Sequence, residues 1–90
     1  MKEIYELFPR YDARASFYGK AHEIEYEDGT IELRSYSTIV AKINPTSPQT
    51  AEVYGWYSQT TGRHIKEFLK QHGFKAENQS QILKDYYKEN

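Results

Sequence analysis

The stretch Trp56-Tyr57-Ser58-Gln59-Thr60-Thr61-Gly62-Arg63-His64 brings together hydroxyls, a glycine, an arginine and a histidine at the predicted start of a helix. Helix starts attract anions because their first backbone N–H groups have no intrahelical partner. Trp56 and Tyr57 stand beside this start as stacking platforms for a base. A phosphate group is the ligand that these residue types suit. The same residues have a purely structural use: Ser58 or Thr60 as N-cap, Gly62 as the opening of the helix, and Trp56 as core.

Further along the same helix, Arg63, Lys66 and Lys70 fall on one side, opposite the apolar stripe, and form a basic ridge expected to point into solvent. Between positions 60 and 75, Arg63, Lys66, Lys70 and Lys75 stand against Glu67 alone, a net of +3. From Lys20 to Arg34 the balance reverses to −3, with Glu23, Glu25, Glu27, Asp28 and Glu32 against the two terminal bases. The molecule is expected to be polarised, and the basic ridge is either a solvated helix face or a contact for a phosphate backbone or an acidic protein surface.

Catalysis finds less support. His22, His64 and His72 are the three histidines, and none lies at a helical i, i+4 spacing from another ligand, so no zinc motif can be drawn. Ser35, His64 and Asp12 have the types of a hydrolytic triad, but no nucleophile elbow or glycine-rich phosphate loop accompanies them. No catalytic residue, metal or cofactor is expected. His72 falls on the inward stripe near the helix C-terminus, where an imidazole suits the last carbonyls and the dipole.

The elements that must position these residues read as a single α+β domain. Asp28-Gly29 between two alternating runs predicts a β-hairpin within 15–43, turned by a two-residue loop. Pairing Glu27 with Thr30 then sets Tyr26 opposite Ile31 and Ile24 opposite Leu33 on one buried face. It also sets Glu23 against Arg34 and Glu25 against Glu32 on a face left in water. Ser35 and Ser37 around Tyr36 predict a bend in the second strand. Asn44 to Gln49 is a loop, and Ala51 to Tyr57 a third strand. Thr61, Ile65, Phe68, Leu69 and His72 make one stripe of a main helix over about 61–72, packed on the sheet. Gly73 at C′ and Phe74 folding back on Leu69 end it. A short C-terminal helix is predicted over 79–88, with Asn78 or Ser80 as N-cap and Ile82, Leu83 and Tyr86 inward. The arm 1–14 fits either a short helix or an edge strand ended by Pro9.

Composition agrees with one folded domain of 90 residues. Only 17 residues are Ile, Leu, Val or Phe, and nine tyrosines and a tryptophan supply the remaining apolar area. The absence of cysteine excludes a disulfide scaffold and fits a reducing cytoplasm. No apolar run reaches the length of a membrane span, and Glu3, Glu6 and Asp12 make the first twenty residues unlike a signal peptide, so neither membrane nor export is expected. The net charge of −1 gives no global pull toward nucleic acid.

Ser35-Tyr36-Ser37-Thr38-Ile39-Val40-Ala41 fits the pattern SYxTxVA, and Tyr57 to Phe74 fits YSxTTxRHIxxFLxQxGF. In these segments the chain resembles an uncharacterised family of short proteins encoded by bacteriophages, plasmids and other mobile elements, grouped as a domain of unknown function. The resemblance implies a mobile-element origin, hence a bacterial host cytoplasm, and a shared fold, and it carries no activity. Its pattern highlights Tyr36, Ser58, Thr60, Thr61, Arg63 and His64. Two functions are therefore expected to compete. The first is a non-enzymatic binding module that contacts nucleic acid or another phosphate-bearing partner through Trp56, Tyr57, Ser58, Thr60, Thr61, Arg63, His64, Lys66 and Lys70. The second is an accessory protein that modulates a host protein, with the acidic hairpin as its contact.

Overall fold

The computed structural model describes residues 2–12, 17–46 and 48–89. Segment 13–16, which holds the junction between the expected arm and the expected sheet, lies outside the described residues, as do Met1, Ser47 and Asn90. The chain is α+β: strands β1 (Glu3–Glu6), β2 (Ala21–Glu25), β3 (Ile31–Ser35), β4 (Thr38–Asn44) and β5 (Thr50–Val53), then helices α1 (Gln59–Gln71) and α2 (Gln79–Tyr86). The strands form one antiparallel sheet in the order β1-β2-β3-β4-β5, five rather than the three expected. One additional strand comes from the arm, which takes its edge-strand alternative as β1. The other arises because the bend at Tyr36 is a tight turn: Tyr36 has φ 57°, and Ser35 pairs with Thr38 directly across it.

The β2–β3 hairpin has a register one residue away from the expected one. Tyr26 and Gly29 close the turn through the Gly29 N–H to the Tyr26 carbonyl, and the Tyr26 N–H donates to the Thr30 carbonyl. The loop is thus the three residues Glu27, Asp28 and Gly29, with Gly29 at φ 91° as the extra, left-handed residue. Asp28 fixes this form by accepting both the Thr30 N–H at 3.0 Å and its hydroxyl at 2.7 Å. Because side chains alternate, the one-residue difference moves one strand's set to the other face. Leu33 now faces Glu23 and Ile31 faces Glu25 on the helix side, whereas Ile24 pairs with Glu32 on the opposite side. The expected clash of Glu25 with Glu32 disappears, and Glu32 instead faces Lys42 of β4. The face away from the helices keeps polar groups, with the Tyr26 hydroxyl donating to Glu32 at 2.6 Å and the Tyr54 hydroxyl to Glu52 at 3.3 Å.

The core lies between the other sheet face and the two helices, and includes Leu33, Val40, Ala41, Ile43, Val53, Ile65, Phe68, Leu69 and Ile82 with Leu7 and Phe17. A register shift opposite Leu33 and Arg34 brings both Val40 and Ala41 into it. α1 ends as the sequence predicts. Gly73 has φ 84°, its N–H donates to the Lys70 carbonyl, and the Phe74 N–H donates to the Leu69 carbonyl at 2.9 Å. The His72 imidazole does not cap these carbonyls, because Glu23 on the helix side of the sheet lies 2.6 Å from its Nε2. α2 stops at Tyr86 rather than Lys88, since Tyr87 turns extended and bridges Val53 in parallel while the Lys88 N–H donates to the Val53 carbonyl.

Candidate functional site

Ser58 is the N-cap of α1, and Thr60 lies inside the first turn. The Ser58 backbone is extended, its Oγ accepts the Thr61 N–H at 3.1 Å, and its carbonyl accepts the Gly62 N–H at 2.8 Å. Just before it, the Ser58 N–H donates to the Trp56 carbonyl, which closes a three-residue turn around Tyr57. Tyr57 has φ 70°, a conformation that costs energy in any residue but glycine, and it projects an exposed phenol. Trp56 is half-buried and lies across Gly62: a Cβ there would sit 2.4 Å from two carbons of the indole. Gly62 therefore lets the helix and the indole touch, a closer role than opening the helix.

Thr61 and His64 turn inward. Ser35 Oγ stands between them, 2.8 Å from Thr61 Oγ1 and 2.8 Å from His64 Nδ1. Phe17 packs edge-on against the His64 ring at 4.7 Å between centroids, and Tyr36 lies at 5.9 Å. The Ser35–His64 contact has the donor types of a nucleophile and its base. Ser35 is 2 % exposed and His64 fully buried, so this polar contact between β3 and α1 lies in the interior.

Arg63, Lys66 and Lys70 share one side of α1, as the spacing predicts, but are half-buried rather than free in solvent. The reason is Glu67, 2 % exposed in the middle of the ridge. Its carboxylate accepts the Arg10 N–H at 2.7 Å, the Tyr11 N–H at 3.0 Å and the Gln71 side-chain amide at 2.6 Å. These bonds hold the chain after β1 along the helix, so that Tyr11 and Asp12 form the far wall of a cleft of about 180 Å³ lined by Arg63, Lys66, Glu67 and Lys70. The Lys70 ammonium lies 5.7 Å from the centre of the Tyr11 ring.

On the other side of the ridge a groove runs between the starts of both helices, lined by Trp56, Gln59, Gly62, Arg63, Lys66, Asn78 and Gln79. Asn78 is the N-cap of α2, its Oδ1 accepting the Gln81 N–H at 2.9 Å. Two positive helix ends and two cationic side chains thus border one depression with an indole in its wall. Of the residues singled out in the sequence, Trp56, Arg63 and Lys66 meet here. Tyr57, Ser58 and Thr60 flank the helix start outside the lining, Thr61 and His64 are in the interior, and Lys70 lines the cleft with Tyr11. Gln59, Asn78 and Gln79 are additional. Asn78 is recognisable as a cap in the sequence, but its position beside α1 depends on the packing of α2 against β5.

Among the described residues no group of three His, Cys, Asp or Glu side chains is placed to hold a metal ion, and no helix is long and apolar enough to cross a membrane. No curated protein and no solved structure matches the chain. A family model does match, over residues 5–84, which takes in all of α1 and most of the sheet and of α2, and the chain belongs to that family of unknown function, DUF8033.

Proposed function

We propose that this protein is a small non-enzymatic binding module that holds the phosphate backbone of a nucleic acid in the groove between the starts of α1 and α2. The observation that carries the reading is the convergence of Arg63, Lys66 and two helix N-termini on one depression walled by Trp56. Arg63 supplies a planar fork for phosphate oxygens, Lys66 a mobile point charge, and the indole edge a surface for a sugar or base. The strained, exposed Tyr57 beside the groove offers a second ring. The resemblance to proteins of mobile elements and the absence of cysteine support a role in a bacterial cytoplasm.

Anisotropy titration of labelled single- and double-stranded oligonucleotides at low salt tests this. Arg63→Glu is expected to weaken binding by more than about tenfold. Replacing Arg63 and Lys66 together with alanine is expected to flatten the salt slope by about two units, because each phosphate contact releases close to one counterion. Absence of binding by the unmodified protein at high micromolar concentration overturns the reading.

A further inference from the structure

We propose that the outer edge of β1 is a docking edge, which a lysine- or arginine-rich extended segment of a partner protein joins as a sixth strand. This goes beyond the groove reading and does not rest on it. Among the described residues β1 ends the sheet and pairs only with β2. The Leu7 N–H donates to the Ala21 carbonyl, so by the alternation of an antiparallel ladder Tyr5 and Glu3 are the residues bonded to β2. The N–H and C=O groups of Ile4 and Glu6 therefore point outward, where an added strand forms its bonds.

Sheet edges in soluble proteins are commonly blunted by lysine, proline, a bulge or a covering segment. β1 reads Glu-Ile-Tyr-Glu, and its register with β2 is unbroken over all four pairs. It presents Ile4 on one face and Tyr5 on the other, 49 % and 47 % exposed, with Phe8 61 % exposed just beyond. Alternate side chains of an incoming strand thus find an apolar neighbour on each face.

Charge selects the occupant. Glu3 lies directly opposite Glu25, a like-charge pair at the edge that costs stability until a cation comes between them. Glu3, Glu25 and Glu27 line one depression at this corner, and a second beside it at the tip of the hairpin is lined by Glu27 and Asp28 with Lys2, so four acids stand against one base. The Tyr5 phenol is held above its ordinary pKa by its hydrogen bond to Glu3, then by burial and the charges of Glu3 and Glu25, which reports the same negative field. A second copy of this chain would bring an equally acidic edge against this one, whereas a basic strand relieves the field.

The probe is a labelled peptide alternating lysine and valine, titrated against the full chain without nucleic acid, beside the same peptide N-methylated at alternate residues. The plain peptide is expected to bind and to protect the Ile4 and Glu6 amides from exchange, and the methylated peptide to bind at least about tenfold more weakly. Ile4→Pro removes an outward N–H without touching the β2 ladder and is expected to cause a similar loss, with its fold checked by circular dichroism. Glu3→Lys is expected to weaken binding, and Arg63→Glu to leave it unchanged. No binding at millimolar peptide, or equal binding of both peptides, overturns the proposal. So does a wild-type dimer in sedimentation that Ile4→Pro makes monomeric, since a second copy then holds the edge.

Discussion

The Arg10 backbone N–H donates to the Glu67 carboxylate at 2.7 Å, across 57 positions of sequence. One acid in a basic helix segment thereby fixes the path of the chain after β1 and gives the ridge its second wall. Glu67→Ala is expected to cost about 2 kcal/mol, the scale of hydrogen bonds to a charged acceptor, and to release the Arg10 and Tyr11 amides to faster exchange. Urea unfolding measures the first and amide exchange the second. Glu67→Gln, which keeps an acceptor oxygen, is expected to fall between.

Ser35→Ala removes a shared, buried partner of Thr61 and His64. The expected loss is about 1 to 3 kcal/mol, because two buried polar atoms lose their contact while little volume is removed. Thermal unfolding checks the magnitude, and the nitrogen shifts of the His64 ring report whether Nδ1 has lost its neighbour.

Gly62 and Gly73 make a contrasting pair. Helix propensity alone would have Gly62→Ala stabilise α1, but the new methyl collides with Trp56, so a loss of about 1 to 3 kcal/mol is expected with a red shift of the tryptophan emission. Gly73→Ala meets no atom within 4 Å, and its cost of about 1 kcal/mol comes from φ 84° alone, with the emission unchanged.

The Tyr54 phenol is pushed up to about 12 by burial, then by the Glu52 carboxylate beside it. The raised value means the neutral phenol is favoured in the fold. Its contribution to stability is complete below pH ~10, where the unfolded tyrosine ionises, and is lost as pH rises through about 12. Phenolate absorbance against pH should show a late-titrating tyrosine that is missing in Tyr54→Phe, and the variant should lose less stability over this alkaline range.

α1 and its Gly73 end were legible because they depend on residues within one or two turns, whereas the caps were narrowed only to Ser58 or Thr60 and to Asn78 or Ser80, of which the fold uses Ser58 and Asn78. The hairpin register was not legible. Asp28-Gly29 serves a two-residue turn or a three-residue turn with a left-handed glycine equally well, and that single residue decides whether Ile24 or Glu23 faces the helices. Tyr36 at positive φ was hidden because tyrosine does not advertise a turn, so β3 and β4 read as one bent strand. The cationic side of the site was visible as a ridge in the spacing of Arg63, Lys66 and Lys70. Its walls, Tyr11 through Glu67 and Asn78 through α2, depend on contacts between distant segments that no local pattern encodes.

Tyr87 and Lys88 lie along β5 on the side away from β4, bridging Val53 and donating to its carbonyl. An open-ended fibre of stacked sheets needs two receptive margins on every subunit, one to accept a neighbour and one to be accepted. On the far margin the chain's own C-terminal segment already takes the Val53 carbonyl, so part of the β5 edge is closed to a neighbour. The exposed Ile4 and Tyr5 of β1 thus face outward on a sheet whose opposite edge is narrowed by its own chain.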